Sequence, residues 1–142
     1  MKKLIISLYL VCTILTIVAC GNASSALEQS KWSLTSYGEQ NNPEEVLDGT
    51  EITATFDNSK GEVSGSSGCN TYSASYEING NNLSISNIAW TERACISPIG
   101  VMDQEQEFLS LLADAESFQV DDMFLAITCS DGRILYFAVA KP

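Results

Sequence analysis

Polar and apolar residues alternate along most of the chain. In "KWSLTSY" (31–37) Trp32 and Leu34 take turns with polar neighbours, and in "TEITATF" (50–56) Ile52, Ala54 and Phe56 do the same. "YSASYEI" (72–78) carries Tyr72, Ala74, Tyr76 and Ile78 at every second position, and "LSISNIA" (83–89) follows with Leu83 and Ile85. A period of two turns one face of each segment inward, which marks half-buried strands. Turn-forming residues separate them: "DNSKGE" at 57–62, "NGNN" at 79–82 and "SDGR" at 130–133, each a hairpin signal. The last two strands, "FLAITC" (124–129) and "ILYFAVA" (134–140), flank the Asp131-Gly132 turn.

One stretch, 97–115, changes period. Val101, Phe108 and Leu112 fall on one helical face, with Met102 and Leu109 adjoining. Ser97 followed by Pro98 reads as an N-cap and first-turn proline. Asp103, Glu105 and Glu107 lie towards the N-terminal half, where the helix dipole favours negative charge. Five or six strands, one helix and then strands again predict an α+β, mainly β fold. Its expected form is an antiparallel sheet or partly closed β-barrel covered by one α-helix.

The first residues bear on compartment. Lys2 and Lys3 precede an unbroken apolar run from Leu4 to Ala19, shorter than the roughly 20 residues that span a bilayer comfortably. This is the pattern of a secretory signal peptide. Ile17-Val18-Ala19-Cys20 has the form of a bacterial lipobox, so 1–19 is expected to be removed and Cys20 to be lipidated. Residues 20–30, small and polar after the cysteine, are expected as a flexible tether, and 31–142 as one domain. Removing 1–19 takes away Lys2 and Lys3 and no acid, so the net charge of −11 becomes −13. So acidic a chain repels phosphate backbones and anionic headgroups. Nucleic acid is therefore not an expected partner, and the membrane is met through the N-terminal lipid. The expected location is the bacterial envelope, on the outer membrane facing the periplasm in a Gram-negative cell.

Composition narrows the chemistry. The chain has no histidine, which excludes Ser-His-Asp and Cys-His catalysis. "GSSGC" (65–69) lacks the G-x-S-x-G spacing of a nucleophile elbow, and no Ser-x-x-Lys occurs. Zinc wants four Cys or His ligands, and no acidic run has calcium-loop spacing. No enzyme activity, metal or cofactor is expected. With Cys12 in the leader and Cys20 lipidated, Cys69, Cys95 and Cys129 remain. In an oxidising envelope two of these are expected to pair, and three pairings are open. The favoured bridge is Cys69 to Cys95, which closes a loop worth about 3–4 kcal/mol on the chain-entropy estimate. Cys129, in phase with Leu125 and Ile127, is expected inward as a buried thiol. Gly65 and Gly68 fit a bulge or bend where backbones approach closely.

Taken together these residues resemble the META domain family, found in heat-shock protein HslJ and in bacterial envelope lipoproteins. "WSLTSY" is similar to the family's opening W-x-L-x-x-Y, and "GSSGCNTY" (65–72) to its G-x-x-G-C-N-x-Y. "IAWTERAC" (88–95), "DQEQEFLSLL" (103–112) and "LAITCSDGRILYF" (125–137) resemble its later segments, with Arg93 where the family often has Met. The resemblance implies a compact antiparallel β-structure with one helix and no fixed catalytic residues. It associates the chain loosely with stress response, drug tolerance, secretion or motility, and virulence. The expected function is non-enzymatic: a monomeric, lipid-anchored envelope domain that binds a protein or peptide and supports envelope integrity under stress. Two alternatives stand beside it. One is a peptidase inhibitor, offering the tether or the loop "GEQNNPEEV" (38–46), though that loop also fits a plain surface connection. The other is a lipid-binding or pilot-type chaperone with an internal cavity.

Overall fold

A computed structural model describes residues 23–141. The signal-peptide and Cys20 expectations lie outside the described residues. The elements run α1 (Ala23–Glu28), β1 (Trp32–Gly38), β2 (Glu44–Glu45), β3 (Thr53–Asp57), β4 (Glu62–Ser66), β5 (Thr71–Asn79), β6 (Asn82–Trp90), α2 (Val101–Ala113), β7 (Ala115–Val120), β8 (Phe124–Cys129) and β9 (Ile134–Val139). Each strand pairs antiparallel with its chain neighbour, in the order β1-β3-β4-β5-β6-β7-β8-β9, and β1 pairs again with β9. The result is a closed eight-stranded barrel, with the two-residue β2 added outside β1. Closure removes the free sheet edges that an open sheet would carry, except along the short join of β6 and β7.

The inward positions are those the alternation marks. Trp32, Ile52, Phe56, Tyr72, Tyr76, Leu83, Phe118, Leu125, Ile127, Leu135 and Phe137 belong to one buried cluster, into which α2 adds Phe108, Leu109, Leu111 and Leu112. Phe56 and Tyr76 meet edge to face at 5.2 Å, as do Tyr72 and Phe108 at 5.4 Å. Such pairs add about 0.5–1.5 kcal/mol beyond their buried area.

The structure corrects the sequence reading in three places. Residues Ala23–Glu28, expected within a flexible tether, form α1. Leu27 is fully buried and its carbonyl accepts a hydrogen bond from Trp32 Nε1 at 2.9 Å. Glu28 Oε1 accepts from the Asn58 amide. The folded unit therefore begins before Lys31, because one leucine there completes the core around Trp32.

Helix α2 starts at Val101, not at Ser97. Ser97 makes no cap: the Ser97–Pro98 peptide is cis, and Gly100 holds the N-cap position at φ 90°, outside helical geometry. The helix also stops at Ala113, where the Asp114 amide turns back to the Ser110 and Leu111 carbonyls. Ala115, expected in the helix, opens β7 against β8.

The ladders are unequal. β5 and β6 pair from Tyr72↔Trp90 to Asn79↔Asn82, with a bulge that holds Asn87 at φ 53°. β6 and β7 pair only at Asn82↔Ser117, with the Phe118 amide donating to the Asn81 carbonyl at 2.9 Å. One side of the barrel is thus a short seam, and α2 packs against β6 beside it.

If α1 belongs to the folded unit, Leu27→Ala should lower the unfolding free energy by about 2–5 kcal/mol, as core leucine truncations do. Urea denaturation followed by tryptophan fluorescence measures this. A change below about 0.5 kcal/mol would restore the tether reading.

Candidate functional site

The segment Gly65 to Tyr72 forms the end of β4, a turn and the start of β5. Gly65 faces Thr53 of β3 so closely that a Cβ would lie 2.1 Å from the Thr53 carbonyl oxygen, so any side chain here would push the strands apart. That carbonyl also accepts from the Tyr72 hydroxyl at 2.9 Å. Burial raises the Tyr72 phenol well above its usual range, so it remains a donor. Gly68, at φ 108°, turns the chain beneath Gln104. The Ser67 amide donates to the Asn70 carbonyl at 2.8 Å and closes the turn.

Two buried polar residues of α2 reach into this region. Glu105 accepts from Ser67 Oγ at 2.5 Å, from the Asn70 amide at 2.8 Å and from Asn70 Nδ2 at 2.7 Å. Asn70 Oδ1 in turn accepts from the Arg93 amide at 2.8 Å and Thr91 Oγ1 at 2.9 Å. Gln104 accepts from the Leu47 amide at 2.7 Å and donates to Thr50 Oγ1 at 3.0 Å. Each group is satisfied, as burial of polar atoms demands. Cys69 and Cys95 are bridged, with Cα atoms 5.9 Å apart, and Arg93 donates to the Cys69 carbonyl at 2.6 Å. Helix, turn and the 91–95 segment are tied into one body.

Two candidate nucleophiles of the domain are buried. Ser67 is fully buried and bonded to Glu105. Cys129 is a buried free thiol whose Sγ lies 3.2 Å from the Leu111 carbonyl. Burial, with Asp131 adding to it, pushes that thiol up to about 11. A raised value means that the folded state holds the proton more tightly. The thiolate that reacts is thus scarce at neutral pH.

A surface groove opens beside Glu105, between β6 and α2. Ile88 and Trp90 of β6 face Met102, Gln106 and Leu109 of α2 across a groove of about 500 Å3. Trp90 is 49% exposed and Met102 39%. The Cys95 amide lies 3.4 Å from Met102 Sδ, which sets the 91–100 segment against the head of the helix. On that segment Ile96 and Ile99 are 93% and 94% exposed. The loop 38–46 stands apart from this groove, drawn onto β1 by Ser36↔Glu45 and Tyr37↔Glu44.

The sequence model of the META domain matches residues 25–142. The chain belongs to the META domain family. Its fold is similar to that of a protein from Burkholderia xenovorans solved by NMR, at 26% identity and a TM-score of 0.69, covering 84% of this chain and 88% of that one. It is also similar to a DUF4847 family protein from Bacteroides vulgatus, at 19% identity and a TM-score of 0.62, covering 84% and 98%. No curated protein matches the chain.

Within this META domain the expected Cys69–Cys95 bridge and the inward Cys129 are both in place. Gly65 and Gly68 stand where backbones crowd, as expected. Glu105 was read as a dipole partner of the helix, and its bonds to Ser67 and Asn70 were missed. The sequence places Glu105 on the helix's apolar face, but nothing in it joins that glutamate to Ser67 or Asn70, 38 and 35 residues away. The sequence does not mark Trp90 and Met102 as a surface pair: Met102 adjoins the helix's apolar face, and Trp90 is out of phase with Leu83 and Ile85.

Two outcomes follow for stability and reactivity. Glu105→Gln puts an amide donor against the Ser67–Asn70 donors and should cost about 1–3 kcal/mol, whereas Asp103→Asn, at an exposed position, should stay within about 0.5 kcal/mol. Chemical denaturation of the two variants checks this. Iodoacetamide at pH 8 should leave Cys129 unmodified in the native protein and alkylate it in urea, read by peptide mass mapping.

Proposed function

We propose that this META domain is a non-enzymatic, lipid-anchored binding domain of the cell envelope, which holds a protein or peptide partner in the groove between β6 and α2. The observation that carries the reading is the gathering of exposed apolar side chains. Of the six large hydrophobic side chains exposed among the described residues, Trp90, Ile96, Ile99 and Met102 lie on the β6 end, the following segment and the head of α2. Exposed apolar patches with a polar surround mark interaction surfaces, and Trp is among the residues that most often anchor them.

The rest of the molecule suits that role. Inward side chains pack into one cluster that fills the barrel, which favours a surface groove over an internal lipid cavity. The disulfide fits an oxidising compartment, and the excess of acids disfavours nucleic acid and anionic lipid surfaces. Attachment through Cys20 would keep the domain at a membrane and present the groove to envelope components under stress. Among the described residues, no helix is long and apolar enough to cross a membrane.

The test is affinity capture from envelope fractions with the wild-type chain and with a Trp90→Ala/Met102→Gln double variant. Both positions are exposed, so thermal unfolding of the double variant should match that of the wild type within a few degrees. The captured partner should fall at least tenfold in the double variant. Equal capture by both would remove the groove as the binding site.

A further inference from the structure

Strand β6 is fully paired on one side only. Its ladder with β5 spans Asn82 to Trp90, whereas its ladder with β7 ends at Asn82↔Ser117. In an antiparallel strand the backbone N–H and C=O groups alternate between the two sides. Between Ser84 and Trp90, half of them therefore face the seam, and among the described residues no strand pairs with them there. Ser84, Ser86, Asn87, Ala89 and Trp90 of this stretch are all exposed. No lysine or proline blunts this stretch, although both are common guards of an edge. The bulge at Asn87 shifts the side-chain parity, so that Ile88 and Trp90 line the groove.

The charge around the seam is one-sided. Past Ala113 the groove runs on into a second hollow of about 790 Å3, bordered by Glu77, Asp114 and Glu116. Asp103 borders the first. No lysine or arginine lines either hollow. Arg133 reaches Asp114 at 3.7 Å, while Glu77 and Glu116 have no ion-pair partner among the described residues. A second copy of so acidic a chain would bring like charge to the seam, and an acyl chain would leave the backbone donors and acceptors unused.

We infer that β6 binds an extended, basic peptide segment as an added strand, with apolar side chains against Trp90, Ile88 and Met102 and a lysine or arginine against Glu77 and Glu116. This deepens the binding reading above and rests on it. Strand addition draws affinity from main-chain hydrogen bonds and specificity from alternate side chains. Residues 84–90 offer room for a segment of about seven residues at roughly 3.4 Å each.

The probe is an acetylated and amidated Lys-Val-Thr-Val-Thr-Val-Lys peptide, titrated into the full-length 15N-labelled chain in a neutral detergent. Binding should shift the amides of 84–90 and the Trp90 indole, and should slow amide exchange in that stretch at least tenfold. Alternate N-methylation of the peptide should weaken binding at least tenfold. Glu77→Gln/Glu116→Gln, at two exposed positions, should weaken it at least fivefold, with an unchanged spectrum elsewhere. An N-methylated peptide that binds equally well would overturn strand addition. So would shifts produced by detergent alone, by self-association of the chain, or at residues away from the seam, and so would the absence of binding at millimolar peptide. A partner captured through Trp90 in spite of such a result would leave the groove reading standing and the strand proposal refuted.

Discussion

The carboxylate of Glu105 sits at the point where the barrel would otherwise come apart. The join of β6 and β7 has a single paired position, the fewest of the eight in the barrel, and the chain must leave β6, travel through 91–100 and a helix, and return as β7. Loop closure of that length is costly in entropy unless something holds both ends. Glu105 pins the helix midway along it by accepting three hydrogen bonds from Ser67 and Asn70, on the turn between β4 and β5, and Asn70 in turn holds Thr91 and Arg93 just after β6. A buried carboxylate left unmatched would be strongly destabilising, so the helix has only a narrow range of placements in which the network closes. Packing of Phe108 on Tyr72 then follows in register.

The disulfide and the network reinforce each other without being redundant. Cys69–Cys95 limits how far the 91–95 segment can stray in the unfolded chain, whereas Asn70 fixes its native path through Thr91 and Arg93. Held at one end by Cys95 and at the other by the head of α2, the intervening residues can keep Ile96 and Ile99 in solvent without losing their place. An apolar pair so presented is a feature of a tethered loop. In a free loop the same side chains would collapse onto the nearest apolar surface.

Much of the barrel was legible because its inner face is apolar at every second residue. β1, β3, β5, β6, β8 and β9 carry two or more such positions each, and turn residues bound them. β4 was harder to read, since "EVSGS" offers Val63 alone, and its glycine answers to the approach of Thr53 across the sheet. β7 carries only Phe118 as a buried side chain and begins where helical spacing was still plausible. The start of α2 was misplaced because Ser-Pro resembles a cap locally, while Gly100 and the pinned 91–95 segment decide where helical geometry begins. In the site, compartment and cysteine count imply a bridge, while leaving three pairings open among which Cys69–Cys95 is the favoured one. The role of Glu105 could not be read, because its partners lie far away in sequence, and burial of a polar side chain depends on partners that only the fold brings near.

This division bears on where function resides. The "GSSGCNTY" stretch, on which the resemblance to the family rests most, is occupied here by structural duties: Gly65 against Thr53, Gly68 at the turn, Cys69 in the bridge, Asn70 in the network and Tyr72 against Phe108 of α2. Changing any of them disturbs the barrel before it disturbs binding. Trp90, Ile96, Ile99, Met102, Glu77 and Glu116 stand outside that set and are exposed. Substitution at such positions typically moves stability by no more than about 0.5 kcal/mol. The same scaffold can therefore carry different apolar anchors and different charges along one short seam. Family membership then specifies the barrel and its lock, and on the binding reading proposed above it is the side chains the lock leaves free that select a partner.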